Sequence, residues 1–220
     1  MSVLNIGVLH PGEMGISVAA AAQQAGNTVY WASAGRSAQT KERAVRFQLQ
    51  DSTDLAGIRT ACTVIISVCP PHAAENVAAQ VAALNYQNIY VDANAISPDR
   101  TRRIESIVSA AGGTYVDGGI IGGPAWEPSE TCLYLSGMKA ASVAACFEGS
   151  LLETTILGDD IGTASALKMC YAAYTKGSTA LLCAVLAGLR KHSACGRRST
   201  SSGRATVGTW LRRPPLAPRV

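Results

Sequence analysis

Short apolar runs and helical segments alternate along the first forty residues, with glycine turns between them. Residues 6–9 form an apolar run that predicts a strand, and a turn with Gly12 and Gly15 follows it. Residues 16–25 are rich in alanine and predict a helix, and residues 28–32 predict a second strand. Strand, glycine turn, helix and strand in this order are typical of the opening of a dinucleotide-binding fold.

The same alternation continues to residue 157. Apolar runs predict strands at residues 61–68, 88–92, 114–120, 132–136 and 154–157, and helical segments lie between them at residues 72–83, 97–110 and 140–147. Repeated strand–helix–strand units predict an α/β fold of the Rossmann type. Such a fold has a parallel sheet, helices on both of its faces, and ligands at the carboxyl ends of the strands.

The pattern changes after residue 157. A turn at residues 158–163 leads into one long helix over residues 164–189, and the apolar periodicity stops there. We therefore predict three parts. Residues 1–157 form a nucleotide-binding domain, residues 158–189 form a long interdomain helix, and residues 190–220 form a tail.

Composition favours a buried α/β core, because 48% of the residues are hydrophobic and only 15% are charged. The net charge of +4 comes from the tail: residues 190–220 hold eight Lys or Arg and no Asp or Glu, which leaves 11 Lys+Arg against 15 Asp+Glu in residues 1–189. Three interpretations of the tail stay open. It is a basic arm for nucleic acid or an anionic membrane, a disordered segment, or a shifted reading frame.

The cysteines and the apolar runs indicate where in the cell the protein is located. Seven scattered cysteines without a C-x-x-C pair predict neither a disulfide framework nor a metal site, and they favour a reducing cytoplasm. The longest apolar run, residues 180–189, is about half the length of a membrane span. We therefore expect a cytoplasmic protein without a membrane partner.

The glycine turn carries the first candidate site. Glycines let a pyrophosphate approach the backbone, and the helix N-terminus offers free N–H groups and a partial positive charge. We expect Gly12, Glu13, Met14 and Gly15 to bind the cofactor there. His10 stands where the G-x-G-x-x-G pattern has a glycine, and the alternative is that the turn is only structural.

Cofactor preference depends on the end of the second predicted strand. NAD enzymes usually carry an acidic residue there for the ribose hydroxyl, and residues 32–38 contain none. Arg36, together with Ser33 and Ser37, suits a 2′-phosphate through charge-assisted hydrogen bonds. The sequence therefore favours NADP, with NAD as the alternative if Arg36 is only a solvated loop residue.

A lysine near the start of the long helix is the candidate catalytic residue. Lys168 shares one helix face with Tyr171 and Thr175 at helical spacing. In a cleft against a nucleotide-binding domain, a lysine can act as a general acid or base. The alternative is that the side chain extends to the surface.

Four segments, in order, are similar to motifs of one family. Residues 7–15 are similar to its glycine turn, residues 67–71 to its cofactor loop, residues 115–125 to its substrate motif, and residues 162–168 to its G-x-x-x-x-x-K helix. Over about residues 4–189 the chain therefore resembles the β-hydroxyacid dehydrogenases, which include 6-phosphogluconate and 3-hydroxyisobutyrate dehydrogenases. Within that family it most resembles the phosphogluconate-dehydrogenase-like NAD-binding proteins.

The resemblance implies a role for each matching residue. Lys168 matches the family's catalytic lysine, and Gly122 and Gly123 match residues that hold the acid end of the substrate. Asn94 is expected to orient the substrate or the nicotinamide and so also counts as a cofactor residue. Three residues of the cofactor loop are expected to contact the cofactor: Val68, Cys69 and Pro70.

Three positions depart from the family pattern. His10 replaces a turn glycine, Ile121 replaces the serine of the substrate motif, and Tyr171 and Ala172 stand where the family has an asparagine. The lysine is kept while its usual partners differ. We therefore expect a substrate other than those of the named relatives.

The resemblance implies an NADP-dependent oxidoreductase that transfers a hydride between nicotinamide C4 and a small β-hydroxyacid, and a homodimer for a full-length form. The family continues with an all-α domain after the long helix. Here that domain would be truncated, so we expect this form to be aggregation-prone or inactive, whereas a form with a complete helical domain would be active. The competing hypothesis is a nucleotide-binding protein without turnover, while a nucleic-acid partner would rest on the tail alone.

Overall fold

The computed structural model describes residues 3–195, with side-chain surroundings as far as residue 190. The chain divides into two compact units, residues 1–174 and 175–220. The strands are β1 (Asn5–Val8), β2 (Thr28–Trp31), β3 (Gln50–Asp51), β4 (Val64–Ser67), β5 (Ile89–Asp92), β6 (Thr114–Ile121), β7 (Cys132–Ser136) and β8 (Glu153–Ile156). The α-helices are α1 (Glu13–Gln24), α2 (Ala38–Arg46), α3 (Leu55–Ala61), α4 (Ala74–Ala83), α5 (Pro98–Ala110), α6 (Ala140–Ala144) and α7 (Thr163–Cys195).

The first unit contains one sheet with the strand order β3-β2-β1-β4-β5-β6-β7-β8. Strands β1 to β6 pair in parallel, which confirms the Rossmann-type sheet. β7 is antiparallel to β6, and β8 is parallel to β7, so the sheet is mostly parallel with one antiparallel pair near this edge. The connection over residues 122–131 contains no helix, whereas a parallel return needs a crossover of about a dozen residues or more.

Residues 38–61 contain three elements that the apolar pattern did not predict: α2, β3 and α3. In α2 only Ala44 is buried, and both residues of β3 are exposed, so neither element has an apolar run. α2 begins instead at a cap, where the Ser37 hydroxyl accepts a backbone N–H. The strand predicted at residues 61–68 begins later, at Val64, because Ala61 still belongs to α3.

Apolar side chains cover both faces of the sheet. On one face Ile6 and Ile66 pack with Ile16 of α1, and on the other Ile65 packs with Val77 of α4. Consecutive residues of β4 therefore point to opposite buried faces, as expected for a strand covered on both sides. The prediction of helices on both faces is confirmed.

α7 is longer than the sequence predicted. It continues to Cys195 rather than ending at residue 189, and the rest of the predicted tail, residues 196–220, lies outside the described residues. Within the second unit, several large apolar side chains of α7 are exposed: Leu181, Leu182, Val185, Leu186 and Leu189.

By length and composition, one helix among the described residues could cross a membrane: the stretch Thr163–Arg190 of α7, with a hydropathy of 1.3. On these two criteria, the expectation that no segment reaches the length of a membrane span is wrong. The expectation counted only uninterrupted apolar residues, whereas the helix has few charges over its whole length. The first turn of the same helix belongs to the sheet domain, where Ala164 and Ser165 are buried.

Candidate active site

The β1–α1 turn contains two glycines with different reasons to be glycine. A Cβ at Gly15 would overlap the carbonyl oxygen of His10, so packing excludes a side chain there. Gly12 is the N-cap of α1 with an ordinary extended backbone (φ −70°, ψ −163°), and a Cβ would meet nothing within 4 Å. No described part of the chain requires a glycine at this position, and an open helix N-terminus fits a pyrophosphate. Glu13 and Met14 form the first turn of the same helix.

His10 occupies the turn as a neutral imidazole. Its Nδ1 is buried, with no hydrogen-bond partner among the described residues. Burial, and then the nearby positive charge of Arg36, lowers the pKa of His10 to about 4. The residue that replaces the family's glycine therefore lies close to the arginine predicted to bind the cofactor.

A tight turn after β2 holds the residues predicted to bind a 2′-phosphate. The Arg36 backbone N–H donates to the Ser33 carbonyl at 3.2 Å, and the Arg36 Nε donates to the Ala32 carbonyl at 3.4 Å. Arg36 is half-buried, and this burial lowers the pKa of its guanidinium from the ordinary value. The Ser37 hydroxyl accepts the Thr40 N–H at 3.3 Å, so it acts as the cap of α2.

The loop after β4 is joined to the end of β5 by Asn94. The Asn94 side chain is buried, and its Oδ1 accepts the backbone N–H of Cys69 at 2.5 Å. Cys69 is half-buried, and burial raises the pKa of its thiol. Val68 and Pro70 flank it, and a short 3-10 turn then leads into α4. The structure therefore brings Asn94 and the predicted cofactor loop together.

Asp92, at the end of β5, is a buried carboxyl that sequence reasoning did not single out. It is 1% exposed. Burial raises the pKa of Asp92 from 3.8 to about 6, and hydrogen bonds from Asn94 oppose the rise.

The fold is expected to lose stability as the pH rises through about 6, because the pKa of Asp92 is higher in the folded chain than in the unfolded one. This contribution is fully present below about pH 4 and is lost above about pH 6. A shift of this size corresponds to at most about 3 kcal/mol. In urea denaturation at several pH values, the free energy of unfolding of the parent should fall with pH relative to that of Asp92→Asn. A difference that stays constant with pH would contradict this expectation.

The two glycines of the predicted substrate motif also differ from each other. Gly122 has a φ of +123°, and its Cβ would overlap the carbonyl oxygen of Glu130, so the backbone itself requires glycine. Gly123 has open space at the Cβ position, while its carbonyl accepts the Thr131 hydroxyl at 2.7 Å. An open glycine at the end of β6 leaves room for a ligand close to the backbone.

Lys168 is positioned by β6. Asp117 on this strand accepts the backbone N–H groups of Gly162 and Ser165, both at 3.0 Å, at the start of α7, where a negative charge is favourable. One turn further on, the helix crosses Gly119, whose Cβ would lie 3.2 Å from the Cβ of Lys168. These contacts fix the half-buried Lys168 beside the carboxyl half of β6.

Two cavities border parts of the predicted site without joining them. One, of about 760 Å³, lies between α1, α2 and the β6–β7 loop; Glu13 lines it, together with the stacked rings of Phe47 and Trp126. The other, of about 520 Å³, is bordered by Arg36 and Asp54. Glu13 and Arg36 therefore lie on different cavities.

Sequence reasoning missed residues that act across long chain separations. Asp92 and Asp117 lie in strands that were identified only as apolar runs, although a lone acidic residue in such a run is a usable signal. Arg43, on the unpredicted α2, donates from Nη1 to the Pro11 carbonyl at 3.3 Å and so ties α2 to the glycine turn. Within residues 3–190, no three His, Cys, Asp or Glu side chains are grouped as a metal ion requires.

Known structures share this fold. A conserved protein of unknown function, with structural similarity to 3-hydroxyacid dehydrogenases, is 29% identical with a TM-score of 0.72, over 86% of this chain and 70% of that one. An imine reductase from Myxococcus stipitatus in complex with NAD+ is 22% identical with a TM-score of 0.72, over 87% and 67% of the two chains. A reductive aminase from Aspergillus terreus in complex with NADPH is 22% identical with a TM-score of 0.70, over 86% and 67%. At 22% identity the likeness shows the fold alone.

The family follows from the sequence of the sheet domain. No curated protein matches the chain significantly. The model of the NAD binding domain of 6-phosphogluconate dehydrogenase matches residues 5–147, which is more than half of the chain and includes the glycine turn and the loop after β4. The chain therefore belongs to the family of NAD-binding domains of the 6-phosphogluconate dehydrogenase type.

Proposed function

We propose that this chain is a cytoplasmic NADP-dependent oxidoreductase that transfers a hydride between nicotinamide and a small β-hydroxyacid-type substrate. The observation that carries the proposal is Gly12, a glycine that neither backbone conformation nor packing requires, at the open N-terminus of α1. The chain belongs to a family of NAD-binding domains, so the candidate ligand is a nicotinamide dinucleotide. Its pyrophosphate would exclude a side chain at residue 12. In the same proposal, residues 1–157 bind the cofactor, residues 158–189 connect domains, and a full-length form is a homodimer.

The cofactor would be held at three places on the carboxyl edge of the sheet. The backbone N–H groups of the first turn of α1, at Glu13 and Met14, would bind the pyrophosphate, and Gly12, whose own N–H donates to the His10 carbonyl at 2.8 Å, would leave room for it. The loop of residues 67–71, joined to Asn94, would line the next part of the site. Arg36 would bind the 2′-phosphate with Ser33 and Ser37 beside it.

The reaction needs a hydride carrier and a proton carrier. When bound, the nicotinamide supplies the hydride acceptor or donor at C4. Lys168 takes the proton of the substrate hydroxyl at its Nζ in oxidation and returns it in reduction. The backbone N–H groups of Gly122 and Gly123 hold the acid end of the substrate, where the open Cβ position of Gly123 leaves room.

Arg36→Ala is expected to weaken NADPH binding by about 1–3 kcal/mol, which is about 5-fold to 150-fold in Kd, because a charged hydrogen bond to the 2′-phosphate is lost. NADH lacks this phosphate, so its Kd should change little. Fluorescence titration of both cofactors measures the difference. Lys41→Ala, which removes an exposed positive charge from α2, is the matched control. Equal affinity of the parent chain for NADPH and NADH would contradict the NADP assignment.

The reaction class is tested by following NADPH in both directions. One series supplies NADP+ with a panel of small β-hydroxyacids. The other supplies NADPH with an imine, because two structures with the same fold are an imine reductase and a reductive aminase. NADPH formation that depends on a hydroxyacid supports the proposal. Cofactor binding without turnover of either class would favour a nucleotide-binding protein that lacks catalysis.

A further inference from the structure

The loop after β4 is held in place by a buried amide from the next strand. The Cys69 backbone N–H donates to Asn94 Oδ1 at 2.5 Å, and Asn94 Nδ2 donates to the Ser67 hydroxyl at 3.1 Å. One end of the amide therefore accepts and the other donates, so the side chain cannot rotate without breaking both bonds. Ser67 and Asn94 are both buried, at 0% and 3% exposed.

Asn94 is in turn held by Asp92. The Asn94 backbone N–H donates to Asp92 Oδ1 at 2.9 Å, so the carboxyl fixes the turn from which the amide projects. We name Ser67, Cys69, Asp92 and Asn94 the Asp92 clamp. The clamp connects the carboxyl ends of β4 and β5 through buried hydrogen bonds. It reaches the predicted cofactor loop at the backbone N–H of Cys69.

The second oxygen of Asp92 lies among other unpartnered groups. Asp92 Oδ2 and the hydroxyls of Tyr90 and Tyr115 are buried without partners among the described residues. Tyr90 and Tyr115 are paired across β5 and β6, and their rings stack with centroids 6.4 Å apart. Burial, and then the nearby Asp92, raises the pKa of both phenols, so the three groups share one enclosure.

We propose that Asp92 is a positioning residue of the cofactor site: its carboxylate, acting through Asn94, sets the position of the loop of residues 67–71 and so the affinity for a nicotinamide dinucleotide. This inference rests on the proposed function. An ionised Asp92 accepts the Asn94 N–H more strongly than a protonated one, because charge-assisted hydrogen bonds are stronger. The loop is therefore held more firmly when Asp92 is ionised.

Several titratable or charged groups face Asp92 from its own strand and from the neighbouring elements. Burial raises the pKa values of Cys69, Tyr90 and Tyr115, so these groups stay protonated. Asp117 on β6 accepts four hydrogen bonds, from Ser136, from the backbone of Gly162, and from the backbone and side chain of Ser165. On α5, Arg100 pairs with Glu75 at 3.1 Å.

The test compares two substitutions at Asp92. Asp92→Asn keeps an oxygen that can accept the Asn94 N–H but cannot ionise, whereas Asp92→Ala removes the acceptor. Asp99→Asn, the same change at an exposed carboxyl of α5, is the control. NADH is the main probe and NADPH the second, because a 2′-phosphate titrates near pH 6 and would obscure the effect.

We expect Asp92→Ala to raise the Kd for both cofactors by about tenfold, which is the effect of one lost hydrogen bond to a charged group. The parent should bind NADH more tightly as the pH rises through about 6, where a carboxyl with this pKa ionises. Asp92→Asn should bind NADH with a Kd that does not change over the same range. Asp99→Asn should follow the parent. Equal affinities of the parent and Asp92→Ala, or a parent Kd that does not change with pH, would overturn the proposal.

A second measurement does not need the cofactor. The rate at which Cys69 is alkylated, followed by mass spectrometry of its peptide, reports how firmly the loop is held. It should rise most in Asp92→Ala and in Ser67→Ala and less in Asp92→Asn, which keeps an uncharged acceptor, with the exposed Cys170 as the internal reference. If the parent binds neither cofactor, the proposed function fails, while these rates still decide whether the clamp holds the loop. If Asp92→Ala does not fold, Ser67→Ala provides the same comparison, and an unchanged Cys69 rate in it overturns the clamp.

Discussion

Gly12→Val is expected to abolish NADPH binding while the sheet domain stays folded. The backbone at Gly12 has an extended conformation that any residue adopts, and no atom lies within 4 Å of its Cβ position. The only cost to the fold is a poorer N-cap for α1, about 1 kcal/mol. A branched side chain at this position would nevertheless fill the space that a pyrophosphate needs at the helix N-terminus.

Circular dichroism and thermal unfolding check the fold of Gly12→Val, and fluorescence titration checks the cofactor. Gly15→Ala is the matched contrast, because its added Cβ would overlap the carbonyl of His10 within the chain. It should lose stability by about 1–3 kcal/mol, as overpacked sites do. If Gly12→Val binds NADPH as the parent does, the glycine turn has been misassigned.

The sequence predicted the central strands β1, β4, β5 and β6 because they are buried on both faces. All four residues of β4 are buried, so its apolar run is continuous and cannot be confused with an amphipathic element. β3 has two residues and both are exposed, so it leaves no apolar pattern at all. Its place in the sheet is set by backbone pairing with β2, which a single-sequence pattern does not contain.

Some residues of the candidate site could likewise be predicted from local sequence, and others could not. Gly12 and Lys168 could be found from the sequence, because a glycine turn and a lysine in an apolar helix stand out locally. The role of Asp117 could not, because the backbone groups that it holds lie 45 and 48 residues further along the chain. Similarly, the two groups that bind the Asn94 amide can be identified only when β4 and β5 are known to lie side by side. Long-range hydrogen bonds decide which polar residues hold others in position, and no local pattern records them.

The four glycines of the glycine turn and the substrate motif fall into two groups according to the space at their Cβ positions. Gly15 and Gly122 are glycine because the chain itself would collide with a side chain, whereas Gly12 and Gly123 are surrounded by open space. From the sequence all four were equivalent members of ligand-binding motifs. Among these four glycines, the structure therefore leaves room for a ligand at the Cβ positions of Gly12 and Gly123.

In a form with a complete helical domain, Lys168→Ala is expected to lower kcat by about 10²–10⁴-fold, the usual effect of removing a general acid or base. The Kd for NADPH should not change, because Lys168 lies on α7 and not in the turns proposed to hold the cofactor. The pH–rate profile should lose the limb that belongs to the lysine. Lys176→Ala, an exposed lysine on the same helix, is the control and should keep the activity of the parent.

A second substitution separates two ways in which Lys168 could matter. Lys168→Arg keeps a positive charge but not a usable proton, because a guanidinium stays protonated at any working pH. If Lys168 relays the hydroxyl proton, Lys168→Arg should be as inactive as Lys168→Ala. If it only attracts an acidic substrate, Lys168→Arg should recover most of the activity, and the catalytic assignment is then wrong. Gly119→Ala adds a structural test: its Cβ would press on α7 at 2.8 Å from the Ala164 carbonyl, so kcat should fall although Lys168 itself is intact.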